Sequence, residues 1–302
     1  MSNNIKNTQK LLKNVTFLQV SGDELLEQLI DADDNVNAVQ FTINPHQKQS
    51  IGLVPPSPYE DCLSYTSPNS AKTFWYKLRI HKRSVSKDKL NDAVQQRLNE
   101  LGMTEDSYDE EDFKSFIDSV ESSLLPDANY TNKDVLFNID AITGSLKVFS
   151  ASNAEVEVVT SIVETILGEI EGLEVNVVTI DSLSDTLTAM LIDSSLPDPL
   201  EFGSKVLLVD PDTKAKGTLT GQCSDTDEVH KMINSNKYWK SGSFVYDGYI
   251  NFELNDESKL KGLTFDNTIE CPTEEETFEQ TLIYVDLEVG NLYNNLQEKL
   301  KG

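Results

Sequence analysis

The sequence predicts an α+β fold in which mixed sheets pack against helices. Some segments alternate apolar and polar residues with the two-residue period of a half-buried strand. Others repeat apolar residues every three or four positions, as an amphipathic helix does. Short runs of proline, glycine and serine separate the two kinds of segment. The chain has 302 residues, of which 38% are hydrophobic, and this is enough for two or three domains with buried cores.

The first predicted elements are a strand over 13–20 and a helix that begins after 21–23, with leucine and isoleucine on one face. Extended segments are expected over 38–43 and 62–66. The proline-rich stretch 54–58 lies between them and cannot form the interior of a helix.

Alternation of apolar and basic residues predicts a strand over 72–85. Its core face would carry Phe74, Tyr76, Leu78 and Ile80. Its opposite, mostly basic face would carry Trp75, Lys77, Arg79 and His81. Two amphipathic helices are predicted next, around 90–98 and 113–124, and Pro126 ends the second.

The rest of the chain mixes the two patterns again. A hairpin is predicted over 133–150, then a helix over 159–170 and a strand over 173–180. A strand-rich region follows Pro197 and Pro199, and Asp247-Gly248 predicts a tight type I′ turn within it. The strands of this region are expected at 206–209, 215–220, 244–246, 249–252 and 281–285. A terminal helix is expected to carry Val289, Leu292, Tyr293, Leu296 and Leu300 on one face.

The composition argues against several classes of protein. The chain has 25 Lys and Arg against 51 Asp and Glu, a formal net charge of −26, and such a field repels nucleic acid and anionic lipid at long range. Three widely spaced cysteines indicate neither a disulfide framework nor a zinc site, and they favour a reducing compartment. The sequence contains no signal-peptide core and no apolar run long enough to span a membrane. We therefore expect a cytoplasmic protein.

Residues that could carry catalysis are scarce. The sequence contains neither a P-loop nor a Gly-x-Gly-x-x-Gly motif. His46, His81 and His230 have no second histidine or cysteine at metal-ligand spacing. The paired carboxylates are more simply explained as solvated surface. We therefore expect no enzymatic activity, no metal and no cofactor.

The few positive charges are concentrated in one part of the chain. Between residues 72 and 97 lie eight basic and two acidic residues. These basic residues could form a surface that contacts a phosphate backbone. A strand and a helix that are simply exposed to solvent would show the same pattern, so both interpretations stay open. Lysine pairs at 214 and 216 and at 259 and 261 would each lie on one face of a strand. By contrast, 101–130 carries nine acidic residues and one lysine.

Several motifs, taken together and in this order, resemble the recombination-associated protein RdgC family. They are Leu12-Lys13-Asn14-Val15, Gly52-Leu53-Val54-Pro55-Pro56, Ser123-Leu124-Leu125-Pro126, the hairpin from Ile139-Asp140 to Thr143-Gly144, and Lys259-Leu260-Lys261-Gly262-Leu263-Thr264-Phe265. The similarity runs from about Leu11 to Gly302 and the length agrees.

The resemblance implies a nucleoid-associated, non-enzymatic protein that binds double-stranded DNA without sequence preference. Members of the family form a ring from two subunits and restrain the RecA recombinase by occupying its DNA. Each subunit has a centre, a tip and a base, which would correspond here to 11–75 with 125–180, to the helical segment 76–124, and to the strand-rich segment 181–302 with its C-terminal helix. The residues expected to contact DNA are Lys72, Lys77, Arg79, Lys82, Arg83, Lys87, Lys89, Arg97, Tyr130, Lys214, Lys216, Lys237, Lys240, Lys259 and Lys261.

The sequence also departs from the family pattern. Leu53 stands where the family usually has tryptophan, and the helix over 105–121 is acidic where relatives are rich in lysine. After the Leu-Leu-Pro turn the family tends to carry basic and aromatic residues, whereas here only Tyr130 could stack on a base. A second hypothesis follows, in which the acidic faces imitate DNA and bind a basic host protein such as a recombinase or a nuclease.

Overall fold

The computed structural model describes residues 3–22, 24–66, 72–168, 170–221, 227–266, 269 and 271–301. The elements of the first part of the chain are α1 (Asn3–Leu11), β1 (Thr16–Ser21), α2 (Leu25–Ile30), α3 (Asp33–Ala38), β2 (Gln49–Val54), β3 (Ser64–Thr66), β4 (Thr73–Ser84), α4 (Lys87–Leu101), α5 (Glu110–Leu124), β5 (Asn129–Asp140), β6 (Ser145–Val148), α6 (Asn153–Leu167) and β7 (Glu174–Val177). Those of the second part are α7 (Leu183–Ile192), β8 (Leu200–Val209), β9 (Lys216–Thr220), α8 (Asp227–Asn234), β10 (Tyr238–Tyr246), β11 (Ile250–Asn255), β12 (Leu260–Phe265) and α9 (Glu274–Leu300).

The fold is mixed α+β with two antiparallel sheets. The first sheet has seven strands in the order β2-β4-β5-β6-β1-β7, and β3 pairs with β4 beside β2. The second sheet has five strands in the order β12-β11-β10-β8-β9. These sheets confirm the predicted fold class at this level.

One extended segment, residues 13–21, joins the two sheets. Val15 and Leu260 exchange backbone hydrogen bonds of 2.9 and 3.0 Å, and the amide of Leu263 donates to the carbonyl of Lys13 over 2.7 Å. The chain then continues directly into β1, which pairs with β6 and β7 of the first sheet. The strand predicted over 13–20 therefore contributes its beginning to one sheet and its end to the other.

Both faces of the first sheet are buried. One face packs on α2, α3 and α6 and includes Tyr76, Leu78 and Phe137. The opposite face, with Phe17 and Trp75, shares a core with the second sheet, α7 and α9. A third, small cluster lies between α4 and α5, which we call the helical hairpin, and it contains Val94, Leu98 and Val120.

Periodicity predicted many elements correctly. The strand at 72–85, the two helices after it, the 133–150 hairpin and the helix ending near residue 170 match β4, α4, α5, β5 with β6, and α6. In the Asp247-Gly248 turn both residues have positive φ, 50° and 72°, as a type I′ turn requires. The predicted division into centre, tip and base stays a prediction; β4 runs without a break across its boundary at residue 76.

Two predicted extended segments are wrong. The strand expected at 281–285 lies inside α9, where Phe278, Leu282, Val285 and Val289 continue one buried helical stripe. The β-branched residues there suggested a strand, but helical spacing over 27 residues decides the outcome. At 38–43, Ala38 ends α3, and only a short bridge near Gln40 pairs with β2. The sequence analysis did not predict α1, α3, α7, α8 or β2.

Candidate nucleic-acid interface

The predicted basic face of β4 is largely engaged in contacts within the protein. Trp75, at the beginning of this face, is completely buried. Lys77 is half-buried, and its Nζ donates to the carbonyl oxygen of Pro56 over 3.3 Å. Burial lowers the pKa of Lys77 below its ordinary value. Neither side chain is free to contact a phosphate backbone.

Arg79 pairs with Asp134 on the neighbouring strand β5. Its Nε and Nη2 donate to the two carboxylate oxygens, each over 2.8 Å. These hydrogen bonds raise the pKa of Arg79. The guanidinium also lies 6.0 Å from the ring centroid of Phe41. The two hydrogen bonds join β4 to β5, and the carboxylate of Asp134 neutralises the charge of Arg79 locally.

Arg83 reaches from β4 to the turn that follows α5. Its Nη1 donates to the carbonyl oxygens of Leu125 and Pro126, each over 2.8 Å. Its Nε donates to Nε2 of His81 over 3.2 Å. His81 is 2% exposed, and its Nδ1 lies 2.7 Å from Oδ1 of Asn132 on β5. Arg83 therefore fixes the turn between the helical hairpin and β5.

Exposed cations remain where β4 passes into α4. Lys82 near the end of the strand and Lys87 and Lys89 in the first turn of α4 are all exposed. Within the part of the chain that the structure describes, no ion pair involves these three side chains. We call them the β4–α4 patch.

The position of Lys87 and Lys89 suits an anion. Ser86 caps α4 by accepting a hydrogen bond from the backbone N–H of Lys89 over 3.4 Å. Positive side chains in a first turn oppose the helix dipole and do not stabilise the helix. Asp88 lies between the two lysines in the same turn and offsets one of their charges. The free N–H groups and the dipole at this end of the helix add to the positive charge that remains, and they favour phosphate.

The remaining predicted contacts of this region differ in their surroundings. Lys72 is exposed in the turn before β4, far along the strand from the patch. Arg97 pairs with Glu100 over 2.9 Å, one turn along the same helix. Tyr130 is 62% exposed. One side of its ring contacts the ring of His81, with the two centroids 4.9 Å apart. Lys72 and Tyr130 are exposed, and the Arg97 side chain is still 57% exposed within its ion pair, so a ligand could reach all three.

The lysines of the second sheet do not form the predicted same-face pairs. Lys214 lies in the turn before β9 with a φ of 59°, and its Nζ donates to the carbonyl of Pro211, whereas Lys216 begins the strand and is exposed. Lys259 is 4% exposed, and its Nζ contacts Glu257 over 2.6 Å and also Asn153. Lys261, two residues later, is half-exposed in β12.

Lys237 and Lys240 complete the predicted set. Lys237 is half-buried just before β10. Lys240 lies in β10 and forms an ion pair with Asp256. The predicted residues of the second sheet are therefore scattered over turns and ion pairs and do not form one basic track.

A comparison with protein families identifies the chain. A family model described as "Putative exonuclease, RdgC" matches residues 11–302, which is nearly the whole sequence. The chain belongs to the RdgC family. Membership indicates a recombination-associated, DNA-binding protein. A search of curated proteins finds no match.

The helical hairpin of this RdgC-family protein is strongly acidic. Asp109 caps α5 by accepting hydrogen bonds from the backbone N–H groups of Glu111 and Asp112. The first turn of α5 carries three exposed acids, Glu110, Glu111 and Asp112, which suits the positive end of the helix dipole. Local helix stability therefore accounts for part of the acidity.

Two cations that the sequence analysis did not select also lie near the interface. Lys48 pairs with Glu121 over 2.7 Å and so joins the segment before β2 to α5. Lys133 on β5 forms an ion pair with Glu155. Both lysines are exposed, but their partners lie more than 20 positions away along the chain, so no local sequence signal could have revealed the pairs.

Two further observations complete the description of this RdgC-family chain. Within the described ranges, no three His, Cys, Asp or Glu side chains lie close enough together to hold a metal ion. None of the helices that the structure describes combines the length and apolar character needed to cross a bilayer.

Proposed function

We propose that this RdgC-family chain binds double-stranded DNA without sequence preference and acts by binding DNA rather than by hydrolysing it. The observation that carries the proposal is the β4–α4 patch. It places Lys82, Lys87 and Lys89, exposed and outside every described ion pair, beside the beginning of a helix. Phosphate contacts of this kind give affinity through counterion release and carry no sequence information.

The assembly we propose is a homodimer that closes as a ring around the duplex, as the family resemblance implies. Two copies would bring two β4–α4 patches to one DNA molecule. Six lysines would then give a slope of log K against log salt of roughly −5. A closed ring would also compensate for weak phosphate contacts at each patch, because a duplex that passes through the ring cannot dissociate sideways.

In the cell, the proposed consequence is competition with the RecA recombinase for DNA. A protein that covers duplex without regard to sequence reduces the DNA that RecA can reach, and no contact with RecA itself is required. Such a protein would also be found on the nucleoid. This would fit the recombination association of the family.

The proposal is tested by fluorescence anisotropy with a labelled duplex of about 30 base pairs, at about 50 mM and about 200 mM salt. A duplex of unrelated sequence is the specificity control. The Lys87→Glu/Lys89→Glu variant is expected to bind every duplex about tenfold more weakly or worse, with a shallower salt slope. Lys6→Glu/Lys10→Glu makes the same change of charge at two exposed positions of α1 and is expected to bind nearly as well as the wild type.

Equal losses in the two variants would contradict the location of the site, because total charge alone would then explain them. The description of the family also names exonuclease activity. A parallel incubation of end-labelled duplex with Mg²⁺ or Mn²⁺ therefore belongs to the test. Intact DNA is the expected result, and progressive shortening would overturn the non-enzymatic part of the proposal.

The second candidate function is binding of a basic protein through the acidic surface. The observation in its favour is that Lys77, Arg79 and Arg83 are used inside the fold, while the acids at the beginning of α5 are exposed. It predicts no DNA binding by the wild type even at about 50 mM salt, together with salt-sensitive binding to a basic recombinase or nuclease. Tight, sequence-independent DNA binding would contradict it.

A further inference from the structure

His81 is a buried titratable group at the junction between the first sheet and the helical hairpin. It is 2% exposed, and both of its ring nitrogens have partners. Nε2 faces Nε of Arg83 at 3.2 Å, and Nδ1 faces Oδ1 of Asn132 at 2.7 Å. The ring of Tyr130 covers one side, with a centroid distance of 4.9 Å.

These contacts define the protonation state of the ring. An arginine side chain has only donors, so Nε2 of His81 must be the acceptor of this hydrogen bond. The single ring proton of the neutral form therefore lies on Nδ1 and is donated to Asn132. A neutral histidine can satisfy both partners, whereas a protonated one presents N–H groups to both.

The charged groups around His81 leave Arg83 as its dominant neighbour. On the same face of β4, Arg79 is neutralised by Asp134 of β5. Also on β5, Tyr130 and Asn132 contact the ring. From β2, the uncharged Ser50 lies opposite His81 in the strand register, and the uncharged ring of Phe41 lies 6.3 Å away.

Arg83 connects this histidine to the helical hairpin. The same guanidinium that donates to His81 also donates to the carbonyls of Leu125 and Pro126, in the turn between α5 and β5. Loss of its position would leave both carbonyls without this donor. Among the residues that the structure describes, two further contacts join α5 to the segment before β2. Lys48 pairs with Glu121, and the Ser122 hydroxyl donates to the carbonyl of His46.

We propose that His81 and Arg83 form a pH-sensitive latch that holds the helical hairpin against the first sheet. The neutral ring accepts the Arg83 hydrogen bond and keeps the guanidinium on the turn at residues 125–126. Protonation at Nε2 places a second donor and a positive charge opposite Arg83. Arg83 then leaves, and the C-terminal end of α5 separates from β4.

The latch can be tested without DNA, so the result does not depend on the proposed function. The chain contains only three histidines, His46, His81 and His230, so selective ¹⁵N labelling gives three sets of ring signals. The His81 set is assigned by its absence in His81→Gln, and independently by elimination with His46→Gln and His230→Gln. At neutral pH the expected result is a protonated Nδ1 and an unprotonated Nε2.

The second measurement is hydrogen exchange of the backbone amides at 125 and 127–130, from neutral pH down to the lowest pH at which the chain stays folded. After correction for intrinsic rates, exchange in the wild type is expected to rise about tenfold when His81 is protonated, as for loss of one charge-assisted hydrogen bond. In His81→Gln, whose amide oxygen can accept from Arg83 and does not titrate, exchange is expected to stay constant. The exposed control His46→Gln is expected to behave as the wild type.

Three results would overturn the latch. One is a proton on Nε2 at neutral pH, which contradicts the hydrogen-bond assignment. Another is unchanged exchange at 125–130 over the whole pH range in which the chain stays folded, whether or not the ring signals of His81 shift. The third is the same pH response in His81→Gln, which would place the responsible group elsewhere. If His81→Gln does not fold, the first two results still decide, because both come from the wild type.

Discussion

At the scale of single residues, the arginines of β4 act on the protein itself. The sequence analysis placed Arg79 and Arg83 among the DNA contacts. In the structure, Arg79 donates hydrogen bonds to Asp134, and Arg83 donates to His81 and to two backbone carbonyls. Replacing them would alter the sheet and the turn as well as any DNA contact. Lys87 and Lys89 are therefore better positions for a binding test.

Buried tyrosines predict how stability depends on alkaline pH. Burial raises the pKa of Tyr76, with a smaller effect from Asp33, and burial also raises the pKa of Tyr293. The folded chain keeps these protons at a pH at which the unfolded chain loses them. The stability that these two tyrosines contribute is thus fully present below the pKa of tyrosine in the unfolded chain, which is about 10. It is lost as the pH rises above that pKa.

We expect the free energy of unfolding, measured with denaturant, to fall as the pH rises above about 10. Tyr76→Phe should reduce this dependence on pH, because phenylalanine has no proton to lose. Tyr238→Phe removes a hydroxyl from an exposed ring and serves as the matched control. An identical fall in all three proteins would show that Tyr76 is not responsible.

At the scale of elements, α9 makes the largest single contribution to the shared core. Ten of its residues are buried. Leu282 is 0% exposed and Leu287, on the same helix, is 58% exposed. The helix lies against both the first and the second sheet, so its apolar stripe stabilises the two together.

Leu282→Ala is expected to lower the free energy of unfolding by about 2–5 kcal/mol, because it removes buried methyl groups and leaves a cavity. Leu287→Ala makes the same chemical change in water and should alter stability by less than about 0.5 kcal/mol. Chemical denaturation of both variants measures the difference. Similar effects at the two positions would mean that this part of α9 is not packed as the structure describes.

The comparison between sequence and structure also belongs at this scale. Periodicity over ten or more residues predicted α4, α5, α6 and β4, because a regular apolar face is a local property of the sequence. Residues 281–285 of α9 were mistaken for a strand, since Thr281, Leu282, Ile283 and Val285 suit both structures over a short window. A five-residue window does not distinguish them, whereas the helical spacing of apolar residues along all 27 residues of α9 does.

The candidate site was predictable in one respect and not in another. The sequence shows where positive charges concentrate, and the β4–α4 patch lies within that segment. It does not show which charges are neutralised, because Asp134 lies 55 positions from Arg79 and Leu125 lies 42 positions from Arg83. Such pairs depend on the register of β4 with β5 and on the path of the helical hairpin.

At the scale of the whole molecule, the two sheets should unfold together. They share the segment 13–21 and one core, whereas the helical hairpin has its own small cluster. Native-state hydrogen exchange is expected to give similar opening free energies for amides in β5 and β10 and a lower value for α5.

The cap residue Asp109 provides a selective variant for this measurement. Asp109→Ala should lower the opening free energy of α5 by about 1 kcal/mol, as for loss of an N-cap, and leave β5 and β10 unchanged. Clearly different values for β5 and β10 in the wild type would show that the sheets are independent units.

The segment shared by the two sheets also limits how the chain can be divided. A fragment that begins at residue 181 would contain all five strands of the second sheet but would lack residues 13–15, which pair with Leu260 and Leu263 at the edge of β12. The bare edge would offer free N–H and C=O groups to any other extended chain. A fragment cut between the two sheets would therefore expose an unpaired strand edge and tend to self-associate. In the intact chain, residues 13–15 pair with this edge and protect it.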